Sequence, residues 1–273
     1  MEEKKRKRVR IRFFVLLGLI VFLMITSLSA EKIIPNDPNK TMPRMANRVP
    51  EGEYPFGTDN YGRCVFSRVM MGAKTSIFSS ILLVLITSTF GTLIGLISGY
   101  YGGIVDIILM RITDVFLAFP GMVLAIAIAG VLGGGLKNAM IAISISGWTS
   151  FARIARSSTL KIKEETYIKA AILSGVGDKG IIFRYILPNI LGIIVVTATL
   201  KISSMMISIS GLSFLGLGVQ LPKAEWGSMI SEGVRYLQIA PWITFFPSLI
   251  MVLTIIIFNL FGDTVRDLLD PKH

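Results

Sequence analysis

Tyr167-Ile168-Lys169-Ala170-Ala171-Ile172-Leu173-Ser174-Gly175, closed downstream by Ile186-Leu187-Pro188-Asn189, decides how the rest of the chain is read. The stretch lies in a basic, polar segment between two hydrophobic blocks. Glu164, Glu165 and Thr166 place acidic and capping residues where a helix would begin. Ala170 and Ala171 give that helix a slim face, which another protein can approach closely. Gly175, Gly177 and Asp178 break it, and a second helix is expected from about Lys179 to Leu187, stopping at Pro188. An ordered connector of about 30 residues is more than a tether. It reads as a handle, held in water, on which a soluble partner pulls.

The flanking blocks are membrane spans. Of the 273 residues, 52% are hydrophobic and only 16% charged, and the mean hydropathy is +0.68. Phe13–Ala30, Thr75–Val105, Val115–Leu136, Ile202–Pro222 and Tyr236–Gly262 each run 18 or more residues without Asp, Glu, Lys or Arg. About 20 apolar residues in a helix cross the hydrocarbon, and a backbone in lipid must satisfy its own amides, so these windows are expected to be helices. The fold class is all-α, a polytopic membrane protein with six transmembrane helices.

The expected organisation is a cytoplasmic basic N-terminus at 1–12, a first transmembrane helix at 13–30, an external loop at 31–74, and a five-helix core at 75–273. That core holds a cytoplasmic loop at 157–188. Within it, span two is placed near Ser76–Ser98 and span three near Ile104–Gly130. Span four starts near Asn138 and is short before Arg153 and Arg156. Span five follows Pro188, span six runs from about Ile243 to Gly262, and a tail carries Arg266 and Lys272. A short interfacial helix is expected near Tyr61–Met71. The first block is read as an uncleaved span rather than a signal peptide.

The net charge of +11 could suggest nucleic acid. The basic residues instead collect before the first span and in the central loop, as cytoplasmic retention of Lys and Arg requires, so the partner is the lipid bilayer and not nucleic acid. Both termini and the basic loop then lie on the cytoplasmic side. Cys64 is the single cysteine and His273, the last residue, the single histidine, so neither a disulfide nor a cysteine metal cluster nor a histidine triad is available within this sequence. No catalytic residue is assigned, and no metal site is identified. A G-x-x-x-x-G-K-[ST] loop is absent, so ATP would be hydrolysed elsewhere.

The Ala-Ala, three residues, Gly pattern with Leu-Pro downstream resembles the EAA loop of ATP-binding-cassette (ABC) importer permeases. The resemblance falls on Ala170, Ala171, Gly175, Leu187 and Pro188, with Lys169 standing where the family has Glu. Phe56-Gly57-Thr58-Asp59-Asn60-Tyr61-Gly62-Arg63, Phe66-Ser67-Arg68, Ser213-Phe214-Leu215-Gly216-Leu217-Gly218, Glu225-Trp226-Gly227 and Phe258-Asn259-Leu260 resemble, in order, the second permease of the dipeptide, oligopeptide and nickel branch. Cys64 replaces the usual Asp.

The resemblance implies a type I ABC importer permease fold and a subunit that binds no cofactor. ATP and Mg would sit on two partner ATP-binding subunits. A homologous second permease would complete the pathway, and an extracytoplasmic solute-binding protein would deliver the cargo. It implies that the loop is a coupling helix docked on the ATPase, and that the membrane is the bacterial or archaeal inner membrane. The cargo reads as nickel, chelated, or short peptides. Ala224-Glu225-Trp226-Gly227 and Met205-Met206 lean towards nickel, whereas a cation in the pathway repels a bare metal ion.

Lys201, Met205 and Met206 are the candidate pathway residues. Lys201 falls near mid-depth of span five, where it either lines the pathway and meets a substrate carboxylate, or snorkels or pairs with a partner subunit. Methionine in an apolar helix is ordinarily packing. Gly91, Gly95 and Gly99 lie four apart on span two, a spacing that admits a close helix neighbour. Arg111 and Asp114 could pair along one helix face.

Overall fold

A computed structural model describes residues 2–269, with side chains from residue 6 onward. Lys272 and His273 lie outside the described residues. The apolar windows become largely helical, and the breaks fall both at glycine clusters, Gly102-Gly103 and Gly133-Gly134-Gly135, and at Pro120, where no glycine cluster marks one.

Helix α1 (Glu2–Leu28) runs straight through the basic N-terminal residues into the first apolar block. It packs along the last helix, with Phe13 stacked on Phe261 at a centroid distance of 5.4 Å. A single turn, α2 (Ala30–Ile33), leads into the long loop. That loop ends at Cys64, because α3 (Val65–Tyr101) takes in all ten residues from Val65 to Lys74. The separate interfacial helix expected near Tyr61–Met71 is therefore the first turns of α3. At 37 residues, α3 is about 55 Å long, well beyond the roughly 30 Å of hydrocarbon.

Span three is not one rod. α4 (Gly103–Leu117) and α5 (Gly121–Leu132) meet at 83°. Pro120 sits at the break with extended ψ of 118°; it has no N–H to continue α4 and disfavours helical backbone just before it. The straight span expected over 104–130 is corrected accordingly. Span four runs the other way, longer than expected. α6 (Leu136–Gly147) and α7 (Thr149–Lys163) meet at Trp148, whose backbone remains right-handed helical, so Arg153 and Arg156 lie on a helix and not on a loop.

After α8 (Thr166–Leu173), the chain starts again at α9 (Asp178–Gly180), continues as a π-helical stretch at Ile181–Ile186, and becomes α10 (Leu187–Phe214). The helix expected to stop at Pro188 does not stop. Leu187 N–H bonds the Ile182 carbonyl, an i→i+5 register, just ahead of the proline. Asn189 Nδ2 donates to the Tyr185 carbonyl at 2.6 Å. A widened turn accommodates a proline that an α-helical register would clash with. Asp178–Phe214 is thus a continuous 37-residue helical run. α11 (Trp226–Val234) lies in the segment before the last helix, and α12 (Trp242–Leu269) closes the described chain.

Four helical runs are long and apolar enough to cross a membrane, and the bent α4–α5 pair makes a fifth. α6–α7, less apolar because α7 carries Arg153, Arg156, Lys161 and Lys163, would be the sixth crossing of the expected fold. Among the described residues there is no regular strand, only two isolated bridges, Glu51 with Tyr54 and Thr58 with Cys64. The core falls into three apolar clusters along the bundle. One joins α1, α3, α11 and α12 around Trp226. A second joins α3, α5, α6 and α10 around Leu83 and Leu212. The third seats α8 against the ends of α3, α7 and α10.

Candidate functional site

Helix α8 is pinned by its underside. Ile168 is fully buried and Ala171 nearly so, packed with Leu96, Tyr100, Ala155, Ile181 and Ile186. Its other face is apolar and open. Leu173 is 88% exposed, Tyr167 and Ile172 are exposed, and so is Phe183 of the π-helical stretch. Lys169 and Ala170 lie on the open face. Lys169 Nζ stands 2.9 Å from Glu164 Oε2, and this hydrogen bond holds the Glu164 carboxyl below the usual carboxylate range. The position that departs from the family pattern is therefore satisfied within the loop itself.

Gly175 ends α8 at φ +84°, the left-handed conformation of a helix C-terminal glycine. Its N–H bonds the Ile172 carbonyl, and Val176 N–H bonds that of Ala171. Leu187 is half-buried beside the same cluster, and Pro188 is exposed at the π-to-α junction.

The elbow is bolted to the bundle by polar contacts that sequence reasoning did not assign. Tyr100 at the end of α3 donates its hydroxyl to Asp178 Oδ1 at 2.7 Å, and Lys163 Nζ donates to the Tyr100 carbonyl at 2.6 Å. Arg156 forks onto both Asp106 oxygens at 2.5 Å, and Ser98 Oγ also donates to that carboxylate. Asp114 pairs with Arg153 at 2.7 Å across helices, in place of the expected partner Arg111 on its own helix. A Tyr-Tyr ahead of Gly102-Gly103, facing an Asp after a glycine break, was the only signal. Behind these contacts, Gly91, Gly95 and Gly99 of α3 pack against α7. An added Cβ would sit 2.3 Å from the Trp148 carbonyl oxygen at Gly91 and 2.4 Å from that of Ala152 at Gly95.

Of the three candidate pathway residues, two share a cavity. Lys201, Ser204, Met205 and Ser208 of α10 form one wall of a space of about 260 Å³. The facing walls come from Phe116 to Met122 at the α4–α5 break and from Ser146 to Ser150 at the α6–α7 junction. Met206 is fully buried on another face of α10, in the cluster around Trp226. A helix turns about 100° per residue, and the step from Met205 to Met206 carries the side chain from the cavity edge into the core.

The motif Glu225-Trp226-Gly227 is a buried clamp. Glu225 Oε1 accepts from Ser76 Oγ, Ser210 Oγ and Gly227 N–H, and Oε2 accepts from Ser228 N–H at 2.9 Å. One carboxylate thus caps α11 and ties α3 to α10. Trp226 Nε1 donates to the Val69 carbonyl at 3.0 Å. Nearby, Asp59 Oδ1 accepts from the backbone of Tyr61 and Arg63, while Oδ2 takes Arg63 Nε at 2.6 Å. Arg63 also reaches Glu232 Oε2 at 2.5 Å. Arg68 is buried beside the same carboxylates and donates to the Pro222 carbonyl. The Phe56-to-Arg68 signature is therefore the knot that fastens the long loop to α3 and α11. Among the described residues, no group of three His, Cys, Asp or Glu is arranged to hold a metal ion.

Residues 91–273 match the family described as the binding-protein-dependent transport system inner membrane component. The chain belongs to the ABC importer permease family. It is 42% identical to the glutathione transport system permease protein GsiD of Pectobacterium atrosepticum, over 98% of this chain and 89% of that one. It is 41% identical to the dipeptide transport system permease protein DppC of Alkalihalophilus pseudofirmus, over 95% and 82%. The GsiD of Escherichia coli O157:H7 is 43% identical over 93% and 84%. Inward-facing structures of the MetNI methionine ABC transporter superpose with a TM-score of 0.55 at 18% identity, covering 72% of this chain and 95% of that one, which shows a shared type I importer permease fold.

As an importer permease, the chain is a multi-pass inner-membrane component and not an enzyme. It needs no cofactor of its own, and ATP acts on partner ATPases.

Proposed function

We propose that this chain is one of two permease subunits of an ATP-driven importer of short peptides, with α8 as the helix that couples it to the ATPase. The observation that carries this reading is the two-sidedness of α8: Ile168 and Ala171 are locked into the bundle while Tyr167, Ile172 and Leu173 stand in the open. An exposed apolar face on a helix fixed from below is what a docking element needs. Lys169, Ala170 and Ala171 lie on or beside the contact, Gly175 sets its bend, and Leu187 and Pro188 carry motion into α10. Two ATP-binding subunits would grip α8 from the cytoplasm. A homologous permease would complete the pathway, and an extracytoplasmic solute-binding protein would load it. The termini then lie in the cytoplasm.

Two observations favour peptides over nickel. The relatives named above are glutathione and dipeptide permeases. The Glu225-Trp226-Gly227 motif that leaned towards nickel is spent on internal hydrogen bonds.

Leu173→Glu tests the coupling role. It should leave membrane insertion intact while the ATPase subunits no longer co-purify and uptake is lost. Wild-type retention of the ATPases by this variant, with normal peptide uptake, would overturn the reading.

A further inference from the structure

We infer that Lys201 is the receiving group for a free carboxylate of the peptide cargo, in the cavity between α10 and the breaks of α4–α5 and α6–α7; the inference rests on the peptide-import reading above. The cavity is the right kind of place for a cation. Lys201 lies well inside the 37-residue apolar run from Asp178 to Phe214, where an ammonium is costly unless it faces water or an opposite charge. Arg153 and Arg156 of α7 are paired, with Asp114 and Asp106, and Arg63 in the loop before α3 is paired with Asp59 and Glu232. Lys201 has no such partner among the described residues, and none of the residues lining its cavity is acidic.

The hydroxyls around it complete the argument. Ser204 donates to the Lys201 carbonyl, Ser208 to that of Ser204, and Thr149 to that of Ser146. Their protons are committed to the helices, so toward the cavity these hydroxyls can act only as acceptors. One charged donor among hydroxyl acceptors complements a peptide end, with the carboxylate on Nζ and the neighbouring N–H groups on the serine and threonine oxygens. Phe116, Phe119, Met122 and Met205 supply adaptable apolar contact for side chains of no fixed identity. The volume of about 260 Å³ lies just below the roughly 300–1,000 Å³ of small-molecule pockets, which suits the end of a peptide rather than a long chain.

A carboxylate could also come from an acidic side chain of the paired permease. The experiment separates the two sources. The complete importer with its binding protein is reconstituted in liposomes, and uptake is measured for one dipeptide as the free acid and as its C-terminal amide. Each is supplied at a concentration that saturates the binding protein. The wild type should take up the acid faster by roughly tenfold, the worth of a charge-assisted hydrogen bond. Lys201→Gln should bring acid uptake down towards the amide's level, and Lys201→Arg should restore the preference. Co-purification of all subunits checks assembly of each variant. If Lys201→Gln lowers both peptides in proportion, Lys201 serves the partner subunit or the fold, and the inference is overturned. An unchanged acid preference in Lys201→Gln overturns it equally. If the assembled wild type takes up neither peptide, the peptide-import reading itself fails and takes this inference with it.

Discussion

The hydroxyl of Tyr100 lies 2.7 Å from Asp178 Oδ1, so the last turn of α3 holds the first turn of the 37-residue run that becomes α10. The contact spans 78 residues of sequence and sits between α8 and the bundle. Whatever moves α8 must move both long helices together or break this bond.

Tyr100→Phe tests that linkage. The ring stays in its apolar seat, and only the donor is lost, at a cost of about 1–2 kcal/mol. The assembled importer should keep its ATPase subunits and hydrolyse ATP, but transport fewer peptides per ATP. Measuring uptake and hydrolysis on the same liposomes checks this. An unchanged ratio would mean that the bond only trims stability.

Gly175 makes a sharper test of the elbow. A side chain there meets nothing within 4 Å, so sterics are not the obstacle; the φ of +84° is. A β-branched residue in this conformation costs about 1–2 kcal/mol or more, whereas Asn tolerates it. Gly175→Val should abolish uptake in a subunit that still inserts, and Gly175→Asn should keep most of it. Gly177, with φ −68° and open surroundings, should accept Ala with little change. Equal uptake by the Val and Asn variants would show that the bend does not matter.

The seam between α3 and α7 should tolerate no side chain. At Gly95 a Cβ would lie 2.4 Å from the Ala152 carbonyl oxygen and 2.6 Å from the Ala155 Cβ. Backbone cannot yield there without parting the helices, and overpacking costs about 1–3 kcal/mol or more. Gly95→Val should lower the yield of folded protein and its midpoint of thermal unfolding in detergent. Gly130→Ala, with nothing within 4 Å, is the matched control.

These seams mark how far the sequence could be read. Apolar windows locate the helices because lipid leaves the backbone no other choice. Gly91, Gly95 and Gly99 were legible as a packing face because spacing alone puts them in line, although spacing does not say that α7 is the partner. The breaks were harder. Pro120 looked like one residue in an apolar window and turns the chain by 83°, while Pro188 looked like a stop and is bridged by a π turn. Whether a proline ends a helix depends on whether the preceding turn can widen, which is decided by packing around Ile181, Ile182 and Ile186. Glu225 was visible only as a motif, because its four donors come from α3, α10 and α11, far apart in the chain. Met205 and Met206 could not be told apart until the helix phase placed one in the cavity and the other in the core.

The pair Glu164–Lys169 gives a pH dependence with a definite sign. The hydrogen bond and field of Lys169 hold the Glu164 carboxyl low. A depressed carboxylate contributes its contact above the ordinary carboxylate range and loses it as pH falls through the depressed value. Near neutral pH the pair is therefore fully formed, and uptake should not vary with pH on its account. Lys169→Ala should move the Glu164 titration back up towards the usual range, read from the carboxyl carbon shift of labelled protein. A titration that does not move would place the cause elsewhere.

Glu225 should be among the least replaceable residues outside the cavity. It is fully buried, and its two oxygens satisfy two serine hydroxyls and two backbone N–H groups on three helices. Glu225→Ala leaves those donors without an acceptor, at about 1–3 kcal/mol for each group that water cannot reach. Glu225→Gln keeps one carbonyl oxygen, but its amide group would point protons at groups that also donate. Alanine should therefore lower the unfolding midpoint most and glutamine somewhat less, with Asp failing to reach Ser76 and Ser210 together. Because the carboxylate is consumed by the fold, added nickel should shift the midpoint of neither the wild type nor the Gln variant. A nickel-dependent rise in the wild type that Glu225→Gln removes would return the metal reading to this motif.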